Sequence, residues 1–321
     1  MPEPSPLSFE AIATGGKRAI ARALSDIEAR DGTREVAQLL DEAAERARAH
    51  VVGLTGPPGV GKSTLTNALI RHWRGEGKSV GVVAVDPSSQ ISSGALLGDR
   101  TRLDTDPTDQ NVFVRSMAAR DRLGGLSHEA LAAIILMRAL FDRVLVESVG
   151  IGQSEADIAF AADSIVLCIQ PGSGDSLQFM KAGVMELPDI VVVTKSDMGA
   201  PARRAKADVE GALSLAMRKQ SDWSVPVLLA SAQEGSGLKD LAEAVEDHYQ
   251  ILVESGRLLT QRKQQALLWM KDRIRRKFGE FGLKHARIDS SDNDCPGLFE
   301  AERKVHLDLV ERLSATGEKT K

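Results

Sequence analysis

The residues Gly56, Pro57, Pro58, Gly59, Val60, Gly61, Lys62, Ser63 and Thr64 follow directly on the apolar run Val51–Thr55 and open a helical stretch from Leu65 to about Trp73. Their types and spacing point to one kind of chemistry. Glycines at this density let backbone N–H groups turn inward around phosphate oxygens, Lys62 is placed to reach β- and γ-phosphates, and the Ser63 hydroxyl can hold Mg2+. The helix that follows aims the positive end of its dipole at the same anions. A mere Gly/Pro turn needs neither the strand before it nor the helix after it. Nucleotide binding is expected, but kinases, ATPases and GTPases share such loops, so the base must be read elsewhere.

Thr194, Lys195, Ser196 and Asp197 close another apolar strand and resemble the NKxD signature of GTPases, with Thr194 in place of the usual asparagine. The Asp197 carboxylate can accept from guanine N1–H and N2–H2, a donor pair that adenine lacks, while the Lys195 stem can lie along the ring. At the next strand end, Ser231, Ala232 and Gln233 resemble the loop whose backbone N–H meets the guanine carbonyl. Two such pieces in order favour GTP over ATP, making GTP the expected substrate and GDP the product.

Mg2+ prefers hard oxygen ligands and keeps several waters. Ser63, Asp86, Asp99 and Glu147 are the candidates to hold it, with a helix cap and a surface turn as the plainer readings of Asp86 and Asp99. Glu147-Ser148-Val149-Gly150 occupies the strand end where many GTPases carry DxxG, so Glu147 would hold a metal-bound water and Gly150 would offer its N–H to the γ-phosphate. Lys62, Asp99, Glu147 and Gly150 are thus the expected catalytic set. Ile151 stands where Ras-like proteins have the glutamine that orients the attacking water. An aliphatic side chain cannot do this, so hydrolysis is expected to be slow alone and faster with a partner. Arg100, Arg102, Arg115 and Arg120 are candidate charges from within the chain.

These residues need a scaffold, and short β-branched runs supply it. Val51–Thr55, Val80–Val85, Asn111–Arg115, Arg143–Glu147, Ser164–Gln170, Asp189–Thr194 and Val225–Ala230 alternate with helical stretches. Most are apolar throughout, as strands buried on both faces of a parallel sheet must be. The expected fold is α/β, a P-loop NTPase with a mostly parallel central sheet and helical N- and C-terminal extensions. Residues 16–47 read as two amphipathic helices, with Ala19, Ile20, Ala23, Leu24 and Ile27 on one face of the first and Val36, Leu39, Leu40 and Ala43 on one face of the second. Beyond residue 250, Leu267, Met270, Ile274, Phe278 and Phe281 form one helical stripe and Leu298, Val305, Leu309 and Leu313 another. The basic residues Lys271, Arg273, Arg275, Arg276 and Lys277 read as a solvated face. The expected organisation is a helical extension over 1–47, a GTPase domain over 48–252 and a helical dimerisation arm over 253–321. The stripes could instead pack on their own domain.

Forty-one basic against 45 acidic residues leave a net charge of −4, which gives no electrostatic case for nucleic acid or an anionic membrane as main partner. No apolar run reaches the roughly 18 residues of a membrane span. Glu3 and Glu10 lie near the N-terminus without a basic, apolar or Arg/Ser-rich leader, so a cytoplasmic protein is expected. Cys168 and Cys295 imply neither a disulfide framework nor a thiolate metal site, and Cys168 reads as a small core hydrophobe. The six histidines are scattered.

The series GPPGVGKST, VAVDPSS, LLGDRTRL, VRSMAAR followed by LGGLS, VESVGIGQSE and TKSD resembles the MeaB/ArgK-type GTPases that accompany methylmalonyl-CoA mutase, within the SIMIBI class. The resemblance covers about residues 10–285. It implies a homodimeric GTPase that binds an adenosylcobalamin-dependent methylmalonyl-CoA mutase, gates cofactor loading and protects the mutase from inactivation. It also implies a partner-coupling loop after the Cys168 strand, with Asp175 and Lys181 as candidate contacts; an ordinary strand-to-helix connection is the plainer alternative. The His-rich tracts and CxC clusters of related nickel and cobalt GTPases have no counterpart here, so gating of a cofactor without ligating its metal is expected. A P-loop kinase acting on a small molecule or protein is the competing reading, and a nucleotide-gated scaffold without useful hydrolysis is a third. No convincing base for a kinase stands beside the γ-phosphate position.

Overall fold

A computed structural model describes residues 7–87, 103, 105–119, 126–148, 157–172, 186–215, 223–286 and 297–317. The expected runs form seven strands: β1 His50–Thr55, β2 Val80–Pro87, β3 Val112–Ala119, β4 Arg143–Glu147, β5 Ser164–Ile169, β6 Ile190–Val193 and β7 Val227–Leu229. They lie in one sheet of order β3-β2-β4-β1-β5-β6-β7, and every pairing is parallel. Parallel neighbours require a crossover between them, and α4 Lys62–Gly75, α5 His128–Leu140 and α6 Ala200–Leu215 lie in such connections, while α7 Leu238–Glu254 follows the last strand. Strand β1 is central, with β4 and β5 on either side, so the loop after β1 emerges among the carboxyl ends of its neighbours.

The strands are buried because alternate side chains serve opposite layers. Val166 and Cys168 of β5, with Ile190 and Val192 of β6, pack beside Leu65, Leu69 and Trp73 of α4 and Leu241 and Val245 of α7. Leu167, Ile169, Val191 and Val193 face the other way, toward Ala202 and Val209 of α6. Each fully buried aliphatic side chain contributes about 1.5–3 kcal/mol. Helix α5 is buried from Ala130 to Ala139, and the Ser127 hydroxyl caps it by accepting from Ala130 N at 3.1 Å.

The chain divides into two compact units, residues 48–261 and residues 1–47 with 262–321. The second contains α1 Phe9–Thr14, α2 Gly16–Ala29, α3 Arg34–Glu45, most of α8 Arg257–His285, and α9 Leu298–Gly317. The expected faces of α2 and α3 are largely inside, with Ile20, Ala23, Leu24, Ile27, Val36, Leu39, Leu40 and Ala43 buried. Helix α1 was not expected; Ser8 caps it and Phe9 and Ile12 bury its inner side. Helix α8 is interrupted at Gly279, whose φ of 67° and ψ of −169° are non-helical.

Helix α9 packs on α3. The Asp41 carboxylate of α3 accepts from Phe299 N at 2.9 Å and Glu300 N at 3.0 Å, capping the first turn of α9. Gly297 permits this approach, because a Cβ there would lie 2.0 Å from Asp41 Cγ. One basic residue departs from the solvated face expected for α8. Arg273 is mostly buried and pairs with Asp31 at 2.7 Å and Glu302 at 2.8 Å, with its guanidinium over the Trp269 ring. Two carboxylates from different segments account for this burial, and spacing along α8 could not reveal them. Among the described residues no helix is long and apolar enough to cross a membrane.

Candidate functional site

The phosphate-loop residues connect β1 to α4, as their spacing requires. Gly56, Gly59 and Gly61 adopt φ values of 137°, 76° and 103°, a region that side-chain-bearing residues avoid. At Gly56 space is decisive as well, because a Cβ would sit 2.3 Å from the Cys168 carbonyl oxygen on β5. Pro58, Gly59 and Thr64 are exposed, Pro57, Gly61 and Ser63 half-buried, and Gly56, Val60 and Lys62 buried. Lys62 folds back over the loop, its Nζ donating to Gly56 O at 2.8 Å and Pro57 O at 3.2 Å. The first N–H groups of α4 have no helical acceptors of their own.

Strand β4 brings the second element alongside. Its last residue, Glu147, is in register with Leu54 of β1 and Ala84 of β2. Ser63 Oγ donates to Glu147 Oε1 at 2.7 Å, and Thr66 Oγ1 donates to Oε2 at 3.1 Å. Thr66 was not anticipated from the sequence, although its position three residues after Ser63 on a helix puts both hydroxyls on one face. Ser148, buried next to Glu147, donates to Thr55 Oγ1 at 3.2 Å and joins the same strand ends.

The base-reading candidates lie on the other side of β1. Thr194 is buried after β6, and its Oγ1 lies 2.7 Å from Val60 O of the phosphate loop and 3.1 Å from Ile169 O. A hydroxyl thus makes the link to the loop at the position where the NKxD signature has asparagine. Lys195 has a left-handed backbone, φ 53°, and starts the 3-10 turn Ser196–Met198. Its Nζ donates to Gly59 O at 3.1 Å and to Gln170 Oε1 at 2.8 Å. Asp197 is exposed in that turn. Ser196 N donates to Ala230 O at 3.2 Å, which holds the turn against the end of β7. In the following loop Ser231 is buried, Ala232 half-buried and Gln233 exposed. Ser231 shapes that loop, since its N donates to Ser236 O at 2.9 Å and its Oγ accepts from Glu234 N at 3.2 Å.

The structure therefore brings Lys62, Ser63, Glu147, Thr194 and Lys195 to one set of strand ends. Asp86 lies in β2, but its side chain is outside what is described. Asp99, Gly150, Asp175 and Lys181 lie outside the described residues, as do Ile151, Arg100, Arg102 and Arg120. Arg115 lies on β3 and is half-buried. Cys168, directly beneath the loop, is fully buried, and burial pushes its thiol pKa up to about 12, despite the opposing influence of Lys62. It is a packing residue, not a nucleophile.

A family model described as methylmalonyl Co-A mutase-associated GTPase MeaB matches residues 20–281. GTPase ArgK of Escherichia coli strain K12 is 35% identical over 270 residues, covering 82% of each chain. The methylmalonic aciduria type A homolog of Mus musculus, a protein named as mitochondrial, is 37% identical over 257 residues, covering 79% of this chain and 60% of its own. Among solved structures, that of an LAO/AO transport system kinase superposes with a TM-score of 0.68 at 30% identity, covering 88% of this chain and 85% of the other. With the phosphate loop, the parallel sheet and the strand-end residues in place, the chain belongs to the MeaB family of methylmalonyl-CoA mutase-associated GTPases and is a GTP-hydrolysing enzyme.

Proposed function

We propose that this GTPase binds and chaperones an adenosylcobalamin-dependent methylmalonyl-CoA mutase in the cytoplasm, gating cofactor loading and protecting the mutase from inactivation through GTP binding and hydrolysis. The observation that carries this reading is the match over residues 20–281 to a family whose description names the mutase. In the proposed site the N–H groups of residues 56–64 surround the phosphates, with Lys62 at the β- and γ-phosphates. Asp197 reads the guanine edge, Lys195 supports the ring, and the Ser231–Gln233 loop meets the carbonyl. Thr194 fixes the base side to the phosphate side through Val60.

The donor set suits Mg2+. Ser63 Oγ and Glu147 Oε1 are hard oxygens 2.7 Å apart at the start of α4. They would hold the ion, with Asp86 and Asp99 as the further candidates, while Thr66 orients the other carboxylate oxygen. Bound there, Mg2+ would supply charge neutralisation at the phosphates. Asp99 and Gly150 complete the proposed catalytic set, and Asp175 and Lys181 are proposed to couple nucleotide state to the mutase. Slow turnover alone, raised by the mutase, follows from Ile151, which cannot orient water.

The proposed organisation keeps 1–47 as a helical extension, 48–252 as the GTPase domain and 253–321 as a dimer arm. Exposed Leu268 and Phe281 on α8 and Leu307, Val310 and Leu313 on α9 support a further apolar partner for this arm. Turnover and affinity capture should be measured with a cobalamin-dependent mutase present, in GDP and in a non-hydrolysable GTP analogue. Nucleotide-dependent capture with accelerated phosphate release is expected. Nucleotide-independent capture with unchanged turnover would overturn the chaperone reading, and a phosphorylated acceptor in place of free phosphate would establish the kinase alternative.

A further inference from the structure

Lys195 is anchored at two points, and only one of them is the phosphate loop. Besides Gly59 O at 3.1 Å, its Nζ donates to the side-chain Oε1 of Gln170 at 2.8 Å. Lys195 is exposed and is the one non-glycine residue with positive φ among the described residues. Such a backbone costs on the order of 1–2 kcal/mol, and a surface lysine has about 2 kcal/mol of rotamer entropy to lose. An unanchored stem would sample many directions.

Gln170 is well placed to select one of them. It directly follows β5, whose Ile169 is in register with Val193 of β6. Ile169 O also accepts from Thr194 N at 2.8 Å, so the two strands remain paired up to the residue before Lys195. The distance between Gln170 and Lys195 is therefore set by sheet register. The Gln170 amide oxygen accepts from the ammonium.

We propose that Gln170 is a positioning residue of the guanine site, holding Lys195 extended so that its stem is already the floor on which the base rests. This rests on the assignment of Lys195 and Asp197 to the base. A pre-extended floor raises affinity by removing an ordering cost from the binding step. The floor touches a ring face that purines share, so its loss weakens GTP and ITP by the same factor. Reading of the guanine edge stays with Asp197.

The test uses the full chain and measures GDP, GTP and ITP affinity, GDP dissociation rate, kcat and melting temperature. The variants are Gln170→Met, Gln170→Glu, Lys195→Met and the double variant Gln170→Met/Lys195→Met. Loss of one hydrogen bond to a charged group at a half-exposed position predicts about three- to tenfold weaker binding for Gln170→Met, mostly through faster dissociation. Its kcat stays within about twofold, the pattern of lost uniform binding. Gln170→Glu, which still offers an acceptor, retains affinity within about twofold. The double variant binds no more weakly than Lys195→Met, because the two residues act as one unit. Unchanged affinity in Gln170→Met, with weakened binding in Lys195→Met, overturns the proposal and leaves the base site standing. Additive losses, or equal losses in Gln170→Met and Gln170→Glu with a lowered melting temperature, also overturn it. Unchanged affinity in both single variants overturns the base-site assignment along with it.

Discussion

Lys62 and Glu147 show how single buried polar side chains are held by their neighbours. The ammonium of Lys62 is buried but accepted by two loop carbonyls, and the Glu147 carboxylate is buried but receives two hydroxyl donors. Each charge is thereby kept in a site that would otherwise disfavour it. On the proposed assignment, Lys62→Ala lowers GTP turnover by about 10²–10³-fold, the scale for losing one transition-state charge donor. Asp197→Asn lowers GTP affinity by roughly ten- to a hundredfold, the worth of a charge-assisted hydrogen bond. Because Asp197 is exposed, its variant should melt with the parent protein; nucleotide titration and thermal melts check both expectations. Much of this scale was legible in the sequence, since the phosphate loop is one continuous segment whose glycines state its backbone angles. Thr66 and Gln170 were not legible. Their partners lie 81 and 25 residues away; the packing of α4 against the end of β4 brings the first pair together, and the register of β5 with β6 the second.

At the scale of elements, all seven expected strand runs appear, because uninterrupted β-branched stretches suit a sheet buried on both faces. Helix α1 was hidden by the Pro/Ser-rich composition around it, and its stability comes from burying Phe9 and Ile12. The capping of α9 was equally hidden, since nothing local distinguishes Asp41 from the other acidic residues of α3. Asp41→Ala should destabilise the helical unit by about 1–2 kcal/mol through the lost cap. Gly297→Ala should be at least as harmful, because its methyl group would meet the Asp41 carboxylate itself. Circular dichroism melts of both variants test this, and a Gly297→Ala variant as stable as the parent would refute the packing at this joint.

For the molecule as a whole, the helical unit carries a pH dependence of its own. Burial pushes Glu302 up to about 7 from 4.5, outweighing the neighbouring Arg273, so the folded state holds its proton more tightly than the unfolded chain. The resulting stabilisation is complete below pH 4.5 and is lost as pH rises through about 7. His306 acts in the opposite sense, its pKa held below 6.5 by burial first and by Lys277 and Arg273 next. Its contribution is present above pH 6.5 and fades as pH falls through its folded value. The difference between the parent and Glu302→Gln isolates the first effect. Melts between pH 5 and pH 8 should show the parent losing about 1–3 kcal/mol relative to the variant as pH rises. A constant difference would remove Glu302 as the source.

The joint between α3 and α9 also sets an order of events during synthesis. Asp41 and Phe299 are 258 residues apart, so the cap cannot form until α9 has left the ribosome. At about 5–20 residues per second, α3 waits roughly 13–50 s for that helix. The last strand, β7, ends at Leu229, so every strand of the sheet has been synthesised before the helical unit can be completed, and until then the apolar faces of α2 and α3 are open to chaperones and to other nascent chains.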